Sequence, residues 1–261
     1  MNSQIAEAYG RHSQKYSSIL EPLLRPMADE ILHLGRMEAA ELVLDLATGT
    51  GLIVRTAVPT RKSIIGVDIS FGILAIARSL STRKIPLVAG NAHKLPFKDH
   101  CFDLVTCGLS LSHFSDVQVA LGEVRRILRS GGCFIASAWG YQREDPSYSA
   151  ATEVRKKYLK DKDNPFESAL DEGKWSDVER GCYILRLGGF ENVQATTIPL
   201  SGKYRNPFDA VEWAFAWPLT RYRIAELDPM DQQKLRQETV SSVLEVDDLC
   251  WQADINYYQA V

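Results

Sequence analysis

Leu42-Val43-Leu44-Asp45-Leu46-Ala47-Thr48-Gly49-Thr50-Gly51 decides the fold of this chain. The apolar run Leu42-Val43-Leu44 reads as a buried strand, the two glycines as a tight turn, and Leu52-Ile53-Val54 as the start of a helix. Glycine carries no Cβ, so such a turn brings backbone close to a ligand. One glycine turn does not say which ligand; the segments around it have to.

Working outward, apolar runs alternate with helical patterns. Strands are expected at 42–46, at Ser63–Val67 ending on Asp68, at Pro86–Ala89, at Phe102–Cys107 and at Cys133–Ala138. Pro59 is expected to stop the helix after the glycine turn, Ser70 to cap a helix running to about Leu80, and Gly131-Gly132 to end a helix over 117–128. Helices are also expected at about 147–159, 175–187 and 230–244, and strands at 190–198 and 249–258. The alternation predicts an α/β chain with a mostly parallel sheet covered on both faces. Right-handed crossovers place the strand C-termini on one edge, where ligands bind. Asp45, Asp68, Asn91, Cys107 and Ala138 all fall at or just past those ends.

The remaining segments frame this core. Residues 1–40 are expected to form an N-terminal helical lid, in which Leu20, Leu23, Leu24, Met27, Ile31 and Leu34 follow a helical period. The core's first half is 41–140, a cap is inserted at 141–174, with Pro146 and Pro165 as breakers, and the core resumes at 175–201. Residues 202–228 form an aromatic lid in which Trp213 and Trp217, four apart, share a helix face, and 229–261 complete the core.

Composition narrows the class. The 261 residues are 45% hydrophobic and 24% charged, ordinary for a globular protein, and the net charge of −3 supplies no basic footprint for nucleic acid. The five cysteines form no C-x-x-C pair and do not group with the histidines, so neither a disulfide framework nor a metal site is expected. A reducing, cytoplasmic setting follows from that cysteine usage. No signal peptide or apolar stretch of membrane-spanning length is evident. Monomer and homodimer both stay open.

Four segments carry a resemblance: LVLDLATGTG at 42–51, IGVDIS at 65–70, AGNAHKLPFKDHCFDLV at 89–105 and EVRRILRSGGCFIASAWG at 123–140. In this order they resemble the class I S-adenosylmethionine-dependent methyltransferases, and within them the small-molecule group similar to ubiquinone and menaquinone-biosynthesis enzymes. The resemblance implies a Rossmann-like, mostly parallel seven-stranded sheet with helices on both faces and a helical lid. It also implies S-adenosylmethionine as cofactor. On it, Gly49 and Gly51 permit approach of the methionine portion, Asp45 accepts from its amino group, and Ala47 stands where glycine is frequent. Asp68 accepts from the ribose diol. Asn91 replaces a usual acid beside the adenine amine, Ala92 and Ile69 flank the ring, and Gly108 and Leu109 contact the cofactor after strand four with Phe114 below them. Tyr16 is a lid candidate over the methionine end or an anchor for its own helix. NAD satisfies the rule at Asp68 equally well and is the chief competing cofactor, but a dinucleotide turn usually reads G-x-G-x-x-G, and the D-x-A-x-G-x-G spacing here favours S-adenosylmethionine.

The acceptor side is outlined by chemistry alone. Transfer to oxygen benefits from a base near the reacting atom, and His113, six residues after Cys107, is the first candidate, with His12 second. Trp139, Tyr141, Tyr204, Trp213 and Trp217 are candidates for an apolar substrate pocket, and His113 and Arg205 for its polar contacts, Arg205 toward an anionic substituent. The expected reaction is in-line methyl transfer to a small hydrophobic or aromatic metabolite, with oxygen as acceptor slightly ahead of carbon or nitrogen. A cyclase or other non-methylating enzyme that binds the same cofactor stays open, as does a macromolecular methyltransferase.

Overall fold

The computed structural model describes residues 3–57, 63–142, 145–159 and 173–261. Pro59 and Pro165, expected to stop a helix and to break the inserted segment, lie outside these residues. Seven strands form one sheet in the order β3-β2-β1-β4-β5-β7-β6: β1 Leu42–Leu46, β2 Ser63–Asp68, β3 Leu87–Ala89, β4 Phe102–Cys107, β5 Leu128–Gln142, β6 Val193–Lys203 and β7 Cys250–Ala260. The first five run parallel, and β7 is antiparallel to both of its neighbours.

Helices cover both faces. On one side α2 (Glu21–Leu34) and α3 (Leu52–Ala57) bury Leu24, Ile31 and Val54 in a cluster that extends to α6 (Pro146–Tyr158), α9 (Pro207–Ala216) and α11 (Pro229–Leu244). On the other, α5 (Val117–Ile127), α7 (Gly173–Ser176) and α8 (Val178–Leu187) bury Leu121, Val124, Trp175 and Leu185 against Phe134 and Tyr258 of the sheet. Two elements stand at the sheet edge: α1 (Ser3–Ile19), which packs on α4 (Phe71–Leu80), and α10 (Pro218–Ala225), which packs on α1. Gly10 makes the first contact possible, since Gly72 of α4 faces it so closely that a Cβ there would lie 3.1 Å from the Gly10 Cα.

Local sequence explains most boundaries. Ser70, Asp116, Asp145, Asp177, Asn206 and Asp228 each accept from a backbone N–H of the helix they precede. Pro146, Pro207 and Pro229 occupy the first helical position, where a missing N–H costs nothing. Pro146, expected as a breaker, therefore starts a helix.

Three expectations change. The helix over 117–128 ends at Ile127, and Gly131-Gly132 lie inside β5: Phe102 pairs with Leu128 while Leu104 pairs with Cys133, so the strand bulges and Gly131 takes φ +74°. The strand expected at 190–198 runs 193–203, with Pro199 tolerated on an edge strand, while Phe190 stacks on Phe134 in the core. Trp213 and Trp217 do not share a helix. Trp217 is extended (φ −63°, ψ 124°) between α9 and α10, because Pro218 bars helical geometry in the residue before it.

Candidate active site

Sheet register builds the first wall of the site. Asp45 pairs with Gly66 on β2 and with Thr106 on β4. The neighbouring Thr106 hydroxyl donates to Asp45 Oδ1 at 2.7 Å, and the Thr48 hydroxyl donates to Oδ2 at 2.6 Å. Burial pushes the Asp45 carboxyl up to about 7 despite these two donors. Asp68, also buried, accepts from Gly49 N at 3.0 Å and Ser70 N at 2.9 Å, and burial raises its proton affinity as well. A carboxylate oxygen can accept two hydrogen bonds, so both acids keep acceptor capacity.

The turn itself is left-handed at Ala47 (φ +54°), Gly49 (+57°) and Gly51 (+83°). Ala47 and Gly49 line a cavity of about 300 Å³ that also takes in Asp45 and Asp68. Gly51 faces away, toward Val54 and Ala77. Behind the turn, the buried Glu21 accepts from the Thr50 hydroxyl and from Arg55, tying α2 to the loop. Leu109, another left-handed residue (φ +51°), donates its N–H to Ser137 O and Oγ, both at 3.1 Å, which holds Gly108 and Leu109 at the cavity wall.

A narrow side slot opens beside Ala47, Asp68 and Phe114, which line both spaces. Ile69, Asn91 and Ala92 stand there and not in the main cavity. Asn91 Oδ1 accepts from His93 N at 3.0 Å and lies 2.9 Å from His93 Nδ1. Glu123 and Arg126 of α5 clamp this loop: Glu123 Oε2 accepts from Leu95 N at 2.6 Å, and Arg126 donates to the carbonyls of Leu95 and Phe97.

The opposite wall is aromatic. Tyr9 and Tyr16 come from α1, Tyr148 from α6, and Trp139 from β5, and Trp217 packs edge-on to Trp139 at 5.7 Å. His113 sits between the two walls in a short 3₁₀ turn, Leu111–His113. Its Nε2 is 2.9 Å from the Tyr9 hydroxyl and its Nδ1 is 3.1 Å from Ser112 Oγ. Burial pushes the imidazole down to about 4, so it is neutral at physiological pH.

Several candidates lie elsewhere. Tyr141 is exposed. Arg205 is an exposed partner of Asp209 on α9. Tyr204 donates to Asp145 Oδ2 at 3.0 Å, tethering two segments, and Trp213 stacks on Trp251 in the core. None of the four lines the cavity. His12 is also off it, and burial together with Arg221 and Arg11 lowers its proton affinity. Sequence reasoning passed over Tyr148, Thr220 and Arg223, which do line it. No periodicity marks them; only the packing of α6 and α10 at the sheet edge brings them in.

Residues 44–136 match the model of a methyltransferase domain. The segment from β1 to β5 is thus similar to a methyltransferase domain. The chain is 38% identical over 92 residues to the demethylmenaquinone methyltransferase of Corynebacterium kroppenstedtii, covering 35% of this chain and 39% of that protein. It is 33% identical over 166 residues to the methyltransferase YcgJ of Bacillus subtilis, covering 62% of each. Its matches thus span roughly half the length of these curated relatives. Among solved structures, the B. subtilis YcgJ protein superposes with a TM-score of 0.58 at 20% identity, over 89% of this chain and 96% of that one. The [4+2]-cyclase SpnF superposes with a TM-score of 0.55 at 20% identity, over 90% and 80%. The seven-stranded methyltransferase fold is shared with both.

Proposed function

We propose that this protein moves a methyl group from S-adenosylmethionine to oxygen of a small hydrophobic or aromatic acceptor. The observation that carries the reading is the two-walled cavity. Asp45, Ala47, Gly49 and Asp68 line it together with the aromatic residues Tyr9, Tyr16, Trp139, Tyr148 and Trp217 and with His113. The chain's groups suit the cofactor: Asp45 would accept from its ammonium, Asp68 from its ribose hydroxyls, and Ile69, Asn91, Ala92 and Phe114 would border the purine. When bound, the cofactor supplies an electrophilic methyl on a sulfonium.

The protein's task is then positioning and proton removal. The left-handed backbone at Ala47 and Gly49 keeps side chains out of the donor's path. Trp139 and Trp217 offer flat apolar surface to an aromatic acceptor. An acceptor hydroxyl becomes strongly acidic as its oxygen gains carbon, so a base of low affinity suffices to take its proton. Neutral His113 meets that requirement, with the Tyr9 hydroxyl on its Nε2 as the relay.

Incubation with S-adenosylmethionine and a panel of hydroxylated aromatic compounds tests the reading. Methylated product in equal amount with S-adenosylhomocysteine is expected. Acceptor conversion with the cofactor left intact would establish cyclase-type chemistry instead, and methylation confined to protein or nucleic acid would overturn the small-molecule reading.

A further inference from the structure

Asn91 lines the side slot and is exposed. Its hydrogen bonds divide the side chain in two. The backbone N–H of His93 donates to Oδ1 at 3.0 Å, and since a backbone N–H can only donate, the amide atom it meets is the oxygen. His93 Nδ1 lies 2.9 Å from the same oxygen. The imidazole tautomer follows from its other side: Nε2 accepts the Asp116 N–H at 3.2 Å, so the ring proton sits on Nδ1 and is donated to Oδ1. Burial holds the imidazole below its ordinary value, which keeps Nε2 free to accept. Asp116 is itself fixed as the N-cap of α5, and Phe114, which lines the slot, meets the His93 ring edge-on at 6.3 Å. Both lone pairs of Oδ1 are therefore used. Nδ2, the donor half of the amide, makes no hydrogen bond to the described residues.

We propose that Asn91 reads the cofactor's purine with a donor: Nδ2, set by His93, donates to a ring nitrogen of the base, and the exocyclic amine is not bound by this side chain. The proposal rests on the S-adenosylmethionine reading above. An aspartate at position 91 would make the same turn with one oxygen and leave the other as a free acceptor for the amine. Asparagine has a single oxygen, and His93 occupies it. The hydrogen-bond polarity expected beside the adenine amine is thereby reversed. Asn91 sets which atoms of the base the slot rewards, and His93 is a positioning residue that acts through it.

Isothermal calorimetry with S-adenosylhomocysteine, its 6-desamino analogue and its 1-deaza and 7-deaza analogues tells the two polarities apart without turnover. The protein is expected to bind the desamino compound as tightly as the parent, and one of the deaza compounds about tenfold more weakly, the scale of one lost hydrogen bond. Asn91→Asp keeps the turn and offers an acceptor, so the pattern should invert: the desamino compound binds about tenfold more weakly than the parent and the deaza penalty disappears. His93→Phe retains a ring beside Phe114 but frees one lone pair of Oδ1, and its preference for the amine should fall between those two. A strong preference for the amine in the unaltered protein, no penalty for either deaza compound, or a pattern that Asn91→Asp leaves unchanged overturns the proposal. An unmoved pattern in His93→Phe overturns the part assigned to His93. Failure of the parent compound to bind overturns the proposal together with the cofactor reading, whereas the expected pattern without methylated product removes methyl transfer alone.

Discussion

The Tyr9 hydroxyl and Nε2 of His113 lie 2.9 Å apart, joining α1 to the turn after β4 across 104 residues of sequence. The two rings meet edge-on at 5.4 Å, and Ser112 holds the far nitrogen. This contact places the imidazole and fastens the N-terminal helix over the cavity.

Replacing either partner should therefore cost turnover more than donor binding. Tyr9→Phe and His113→Ala are each expected to lower kcat by about 10²-fold, the low end for a positioned acid or base, with cofactor affinity nearly unchanged. The double variant should lose little more than either single one, because the groups act as a unit. Steady-state kinetics with calorimetric cofactor titration checks this; additive losses would mean that the residues act separately.

Asp68 binds the turn as well as facing the cavity, since both of its oxygens accept backbone N–H groups. Asp68→Ala should weaken S-adenosylmethionine binding by about tenfold or more and lower the melting temperature, as two buried donors lose their partner. Asp68→Asn, which keeps one acceptor, should fall between. Isothermal calorimetry and thermal melts on both variants measure the two effects.

Asp45 should make ligand-free stability depend on pH. Its native value, about 7, lies above its ordinary value of 3.8 because burial penalises the charge. Below the ordinary value both states hold the proton; above it the unfolded chain releases a proton that the native state keeps. Stability thus falls as pH rises from about 4 to about 7 and levels off once the native group ionises, a loss on the order of a few kcal/mol. Asp45→Asn should flatten that slope in denaturant melts between pH 4 and 8. Calorimetry in buffers of different ionisation enthalpy should show proton release when the cationic cofactor binds below pH 7.

Ala47 holds a left-handed conformation that glycine adopts freely. Ala47→Gly is expected to stabilise the protein by about 1 kcal/mol, and Gly49→Ala to destabilise it by a similar amount. Space is not the reason at Gly49, where an added Cβ would meet Ile73 Cδ1 at an ordinary 3.6 Å. Urea denaturation curves for both variants decide the sign.

What could be read beforehand tracks the range of the interaction. Asp45, Asp68 and the Gly49 turn lie at strand ends, where an apolar run and a few glycines announce themselves within ten residues. The aromatic candidates did not separate into cavity and core. Tyr204, Trp213 and Trp217 look alike in the chain, yet Tyr204 tethers Asp145, Trp213 stacks on Trp251, and Trp217 alone of the three faces the cavity. Composition says that such side chains are buried, not against what.

The amino-acid sequence by itself determined the α/β alternation, the parallel half of the sheet and the acids at its edge. Those follow from local periodicity, turn residues and helix caps, each satisfied by near neighbours in the chain. Only the tertiary structure decided that Tyr9 meets His113, that Arg223 and not Arg205 reaches the cavity, and that Gly51 serves packing. These depend on how α1, α6 and α10 pack over the strand ends, which is set by the sum of many weak contacts between distant segments.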